Sequence, residues 1–221
     1  TKVTRPQMSY VILDKKDKCY IIRRHSNKGR YEMILVNAVK HFGTITKHKW
    51  IVFKLCCKAG EPWRGFMHDW SKYSPTEFWE SAKYYTGKFS PIHACRKING
   101  YSEAWLHHKG RNKHHHEYWY DYATVEKTPV MPYKYAVEMI CDNLAAGIVY
   151  NGKNWTKSTQ LEYWTKVESK KRVNPKINKF AKEIFKQVSE QGIDPVIKKE
   201  NLKKVYNSIV YCEKENVEVK K

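Results

Sequence analysis

The chain has 221 residues, 41% of them hydrophobic and 29% charged, which excludes a disordered chain and allows one domain with a real core, alone or with an appendage. No run of about 18 apolar residues occurs, which excludes a transmembrane helix, and the charged start TKVTRPQMSYVILDKKDK lacks the apolar stretch of a signal peptide. With 42 basic against 22 acidic residues the formal charge is +20, which favours a phosphate-containing small molecule or a nucleic acid as partner, although lysine spread along the whole chain also fits simple surface solvation.

Residues 8–24 read as two short β runs around a charged turn, Asp14 to Lys18, because Val11, Ile12, Tyr20, Ile21 and Ile22 are good strand formers. Residues 25–30, HSNKGR, read as a linker. A helical pattern follows over 31–42, with a break expected at Gly43, and a second helix over 44–58 stops at Gly60. Along it Ile45, His48, Val52, Leu55 and Ala59 share one face, so His48 sits on an apolar row. A helix over 62–70 carries the adjacent His68 and Asp69 among Phe66, Met67 and Trp70. SPTE at 74–77 is a helix start: Ser74 caps, Pro75 takes the first position and Glu77 completes a capping box, with the helix ending at Gly87. Residues 88–100 read as an irregular loop, and 101–108 as a short helix closed by Gly110. His114, His115 and His116 then stand in a loop. Pro132 opens a helix over 133–150, on which Tyr135, Met139, Asp142, Ala146 and Val149 share a face, so Asp142 also lies among apolar residues. The tail reads as three further amphipathic helices, broken at Asn174-Pro175 and around Gly192 and Asp194-Pro195. Six cysteines, at 19, 56, 57, 95, 141 and 212, form no C-x-x-C pair, which argues against a zinc ribbon and for reduced, mostly buried thiols in a cytoplasmic protein.

The odd polar groups therefore fall on inward helix faces: His48, His68 with Asp69, His107 or His108, and Asp142, with the histidines at 114–116 beside them. Singly, each has a bland explanation. A core histidine is usually hydrogen bonded, a His pair at a helix end suits the dipole, and Asp142 can pair with a lysine. Together they form the imidazole and carboxylate set that binds Mn, Fe, Co, Ni or Zn. The separations of 20, 39, 7 and 27 residues suit ligands on successive helices of a bundle holding one or two such ions. His108 is preferred within its pair because Tyr101, Trp105 and His108 form an inward row, and His115 within its run because it is central.

The order His, His-Asp, His, His, Asp on a helical scaffold resembles the HD-domain metal-dependent phosphohydrolases. His48, His68, Asp69 and Asp142 match that superfamily's motif residue by residue, HDWSK looks like its HD-x-x-K form, and the extra histidines match branches with two metals. Over roughly residues 40–185 the pattern HKW…HDWSKYSPTEF…AWLHHKGRNKHH…YW…MP…EM is similar to an uncharacterised bacterial and phage family of HD-like proteins. The resemblance implies a mainly α chain. Residues 31–185 would be an HD-like helical metal-binding bundle; outside the resemblance, the residue pattern makes 1–30 a β-hairpin extension and 186–221 a helical tail. The resemblance implies hydrolysis of a nucleotide, cyclic nucleotide or other phosphate ester by a metal-bound hydroxide. His48, His68, Asp69 and Asp142 would hold one metal, His108 and His115 the second, and Asp69 would bridge. Lys72 and Arg111 are the candidates for neutralising phosphate oxygens, with plain surface charge as the alternative for each, and Asp69 and Lys72 are the expected catalytic pair. Many nucleotide-hydrolysing members carry a Glu shortly after His-Asp; Lys72 stands in that region here, which leaves the general base open. Two rival expectations remain: an HD-fold di-iron oxygenase, and a basic nucleic-acid-binding or assembly protein with a structural metal.

Overall fold

The computed structural model describes residues 10–13, 19–22, 27–170 and 172–211. It is mainly helical. Two short strands, Tyr10–Leu13 and Cys19–Ile22, pair antiparallel with Tyr10 opposite Ile22; the expected turn between them lies outside the described residues.

Helix α1, Asn27–Lys58, is continuous, so the expected break at Gly43 does not occur and residues 27–30 are helix rather than linker. A glycine inside a helix costs about 1 kcal/mol against alanine, and the burial of Ala38, Ile45, Val52 and Leu55 along α1 outweighs it. Helix α2, Pro62–Met67, ends one residue before His68, so His68 and Asp69 lie in a break between α2 and a 3-10 turn, Trp70–Tyr73, not inside a helix. Helix α3, Pro75–Lys83, begins with Ser74 accepting from the Glu77 amide, and it stops four residues before Gly87. The stretch expected to be loop contains helix α4, Pro91–Asn99, with Pro91 at its first turn and left-handed Gly100 as its stop. Helix α5, Glu103–Arg111, runs through Gly110.

Helix α6, Tyr133–Asn151, is the centre of the fold: Ala136, Val137, Ile140, Cys141 and Leu144 are fully buried. Around it stand α1, α7 (Thr159–Val167), α8 (Pro175–Gln191) and α10 (Lys199–Val210), with one-turn α9 (Ile193–Val196) between the last two. Asn174 caps α8 from the expected break, and Gly192 ends it. Phe180, Ile184 and Phe185 of α8 and Leu202 of α10 are fully buried in the same core. The boundary expected after residue 185 therefore falls within α8. Burying each large apolar side chain contributes about 1.5–3 kcal/mol. The polar ends of two aromatics are satisfied: Tyr206 donates to the Met131 carbonyl at 2.6 Å and Trp164 to Asn178 Oδ1 at 2.8 Å. No helix among the described residues is long and apolar enough to cross a membrane.

Candidate metal centre

The site is built where α1, α5 and α6 meet the break after α2. His48 points inward from the apolar row of α1. At the break His68 is extended, and Asp69 takes left-handed backbone angles (φ 53°, ψ 30°), the one such non-glycine among the described residues. That conformation costs roughly 1 kcal/mol outside glycine, and Asp is among the residues that tolerate it. It turns two consecutive side chains into the interior, so His68 and Asp69 are both buried. Lys49 fixes the break by donating to the carbonyls of Phe66 and His68 at 2.7 and 2.5 Å.

Two groups of potential ligand atoms share Asp69: His48, His68, Asp69 and Asp142, and Asp69, His108, His114 and His115, with the atoms of each group within 4.8 Å of one another. In the first, His68 Nε2 lies 3.1 Å from Asp69 Oδ2, and His48 Nε2 lies 2.9 Å from Asp142 Oδ1. In the second, Asp69 Oδ1 lies 3.3 Å from His108 Nε2 and 3.4 Å from His114 Nε2, and His108 Nε2 lies 2.9 Å from His115 Nε2. Asp69 Oδ1 and both ring nitrogens of His114 have no well-formed hydrogen bond within the chain although they are buried, while Asp69 Oδ2 meets the Lys72 ammonium. One ammonium against Oδ2 leaves Oδ1 facing only imidazoles, a costly position for a buried carboxylate oxygen without a second cation. The donor set and the orphaned Asp69 Oδ1 therefore fit a metal ion.

Two glutamates orient the imidazoles from behind. Glu138, one turn before Asp142 on α6, is fully buried, with Oε1 3.0 Å from His68 Nδ1 and 3.1 Å from His114 Nδ1. Its other oxygen binds Arg64, with Nη2 and Nε at 2.5 and 2.7 Å. His68, His114 and Glu138 also converge closely enough to suit an ion, but Glu138 faces the Nδ1 atoms and a guanidinium, so it acts as the carboxylate partner of His68 and stands beside His114. Glu77 does the same on α5, accepting from His107 Nδ1 at 2.6 Å and His108 Nδ1 at 2.7 Å. A carboxylate on Nδ1 fixes the proton there and leaves Nε2 free to ligate. Glu77 thus turns inward instead of closing the expected capping box. Its neighbour Glu80 accepts from Ser102 Oγ and the Glu103 and Ala104 amides, so α3 anchors the start of α5 as well.

Burial alone would raise the Asp69 carboxyl, but His68, Lys72 and His108 hold it well below the ordinary range. Burial likewise opposes Asp142, whose bonds to His48 and His68 keep it ionised. His115 is pushed well below its usual value by burial and by its neighbours His114 and His108, so its ring is neutral and able to donate a lone pair. Lys72 is held charged against burial by Asp69 and Asp142; its Nζ lies 2.5 Å from Asp69 Oδ2 and about a quarter of its side chain, 27%, is exposed.

Every expected ligand, His48, His68, Asp69, His108, His115 and Asp142, converges here, with Lys72 beside them. His114 joins His115, so the run supplies two imidazoles where one was preferred. His107 turns to Glu77 instead. Arg111 is exposed and donates to the His107 carbonyl at 3.3 Å, apart from the cluster. Sequence reasoning missed Glu138, although its four-residue spacing to Asp142 places it on the same face. Arg64 had no sequence signal of its own. The cluster opens into a cavity of about 880 Å³ lined also by His41, Tyr85, Trp105, Tyr150 and Gln160.

No curated protein and no solved structure matches the chain. Residues 37–187 match a family of unknown function, DUF5662, a span that includes every residue of the cluster. The chain belongs to that family.

Proposed function

We propose that the protein is a metal-dependent phosphohydrolase with an HD-domain-like bundle, holding two divalent transition ions. The observation that carries this reading is Asp69, whose two oxygens face two different ligand groups. His48, His68 and Asp142 would hold one ion, His108, His114 and His115 the other, and Asp69 both. Such ions supply Lewis acidity at a phosphoryl oxygen and towards water. The protein's own groups bind and orient. Lys72 reaches the cavity while kept charged, and its ammonium offsets charge on a phosphate oxygen. Glu138 and Glu77 keep the imidazoles in the ligating tautomer. Tyr85, Trp105 and Tyr150 wall the cavity around the organic part of an ester.

Protein loaded separately with Mn, Fe, Co, Ni and Zn should hydrolyse a phosphomonoester, a mononucleotide or bis(p-nitrophenyl) phosphate, with Asp69→Asn losing at least a thousandfold. A doubly loaded protein inert towards all three in every metal form would contradict the reading. A donor set of five imidazoles and two carboxylates also suits iron. For the di-iron oxygenase reading, the discriminating result is oxygen consumption by the iron form with no hydrolysis.

A further inference from the structure

On the opposite side of the His68–Asp69 break the chain presents a row of exposed rings. Phe42 of α1 stands 5.8 Å from Tyr73, which is 5.9 Å from Trp70, itself 6.2 Å from Phe66, and Phe66 is stacked on Trp63 at 5.7 Å. Trp50 is stacked on Phe53 at 5.6 Å on the same helix. Phe42, Trp50, Trp63, Phe66 and Trp70 each keep about half their surface or more exposed. Monomers seldom expose so contiguous an apolar strip unless it binds something.

Charge decides the occupant. From residue 33 to residue 60 there is no Asp or Glu, and of the five lysines there Lys49 and Lys54 stand against these rings, whereas Lys58 pairs with Asp194. Lys49 Nζ lies 4.6 Å from the Trp70 ring and Lys54 Nζ 6.0 Å from the Trp50 ring. A second copy would bring another +20 chain to this face and be repelled. Successive exposed rings beside cations are what stack the bases and pair the phosphates of a single strand.

We infer that the aromatic row from Phe42 to Trp63, with Trp50 beside it, binds single-stranded nucleic acid. The inference is independent of the metal centre. Its test is fluorescence anisotropy with a labelled 20-mer oligothymidylate, on chelated and metal-loaded protein, across a salt series. Binding should survive chelation and weaken steeply with salt. Trp50→Ala and Trp63→Ala should each weaken it by roughly tenfold, while Tyr122→Ala, a still more exposed ring outside the row, should leave it unchanged. Three results would overturn the inference: no binding at low salt, equal effects of all three substitutions, or a dimer that Trp63→Ala dissociates and the oligonucleotide ignores.

Discussion

Glu138 Oε1 stands 3.0 Å from His68 Nδ1, and neither residue's side chain reaches solvent. This carboxylate thereby sets the tautomer of His68, and the same oxygen stands 3.1 Å from Nδ1 of His114 in the second group without a well-formed hydrogen bond to it. Glu138→Gln should lower metal affinity about 10–100-fold, measured by competition with a chromophoric chelator. An unchanged affinity would mean that Glu138 serves Arg64 alone.

Lys72 makes a different kind of contribution. It is held above its usual pKa by Asp69 and Asp142 against the opposing effect of burial, so it stays charged through the neutral range. Lys72→Met should retain metal and lose about 10²–10³ in kcat. Metal content and steady-state rates on the same preparation separate the two outcomes, and loss of the ions with the lysine would assign it a structural role.

Acid stability should carry the signature of His41, which is wedged between Phe78 and Tyr85 and lowered to about 4, first by burial and then by the Lys72 charge. The unfolded chain takes up this proton near pH 6.5, the folded chain only near 4. Stability is thus complete above 6.5 and lost as pH falls towards 4, by about 2–3 kcal/mol from this group. Urea melts of chelated protein at pH 7.5 and 4.5 should show His41→Gln losing that much less than the parent. Equal losses would remove His41 from the account.

Two glycines should respond in opposite directions. A Cβ at Gly43 meets nothing within 4 Å, so Gly43→Ala should stabilise by about 0.5–1 kcal/mol, or on the order of 2–4 °C in Tm. At Gly65 a Cβ would lie 2.7 Å from Cys56 Cβ and 2.9 Å from Phe53 Cα, so Gly65→Ala should push α2 off α1 and destabilise by about 1–3 kcal/mol. Thermal melts of the two variants check both signs.

What the sequence revealed was whatever periodicity carries. His48 and Asp142 were legible because each interrupts an apolar row on a long helix, and α8 because Asn174 and Gly192 bracket it. Glu77 was misread because a capping-box spacing is local, whereas its imidazole partners arrive from α5, thirty residues on. Gly43 and the stretch 88–100 were misread in the same way: a single glycine, or a loop-like composition, yields to the helix that neighbouring contacts favour. His115 is preferred by its central place in the run and does reach the site; that His114 joins it depends on side-chain directions in a loop, where no repeat applies.

The most direct test of the centre is metal analysis of the purified chain beside Asp69→Ala, Asp142→Ala and His108→Ala, each checked for folding by its melt. Two equivalents of a transition ion per chain are expected. Asp142→Ala and His108→Ala should each lose one, and Asp69→Ala should lose both. A parent that binds no ion, or a folded Asp69→Ala that keeps two, would contradict the shared-carboxylate centre.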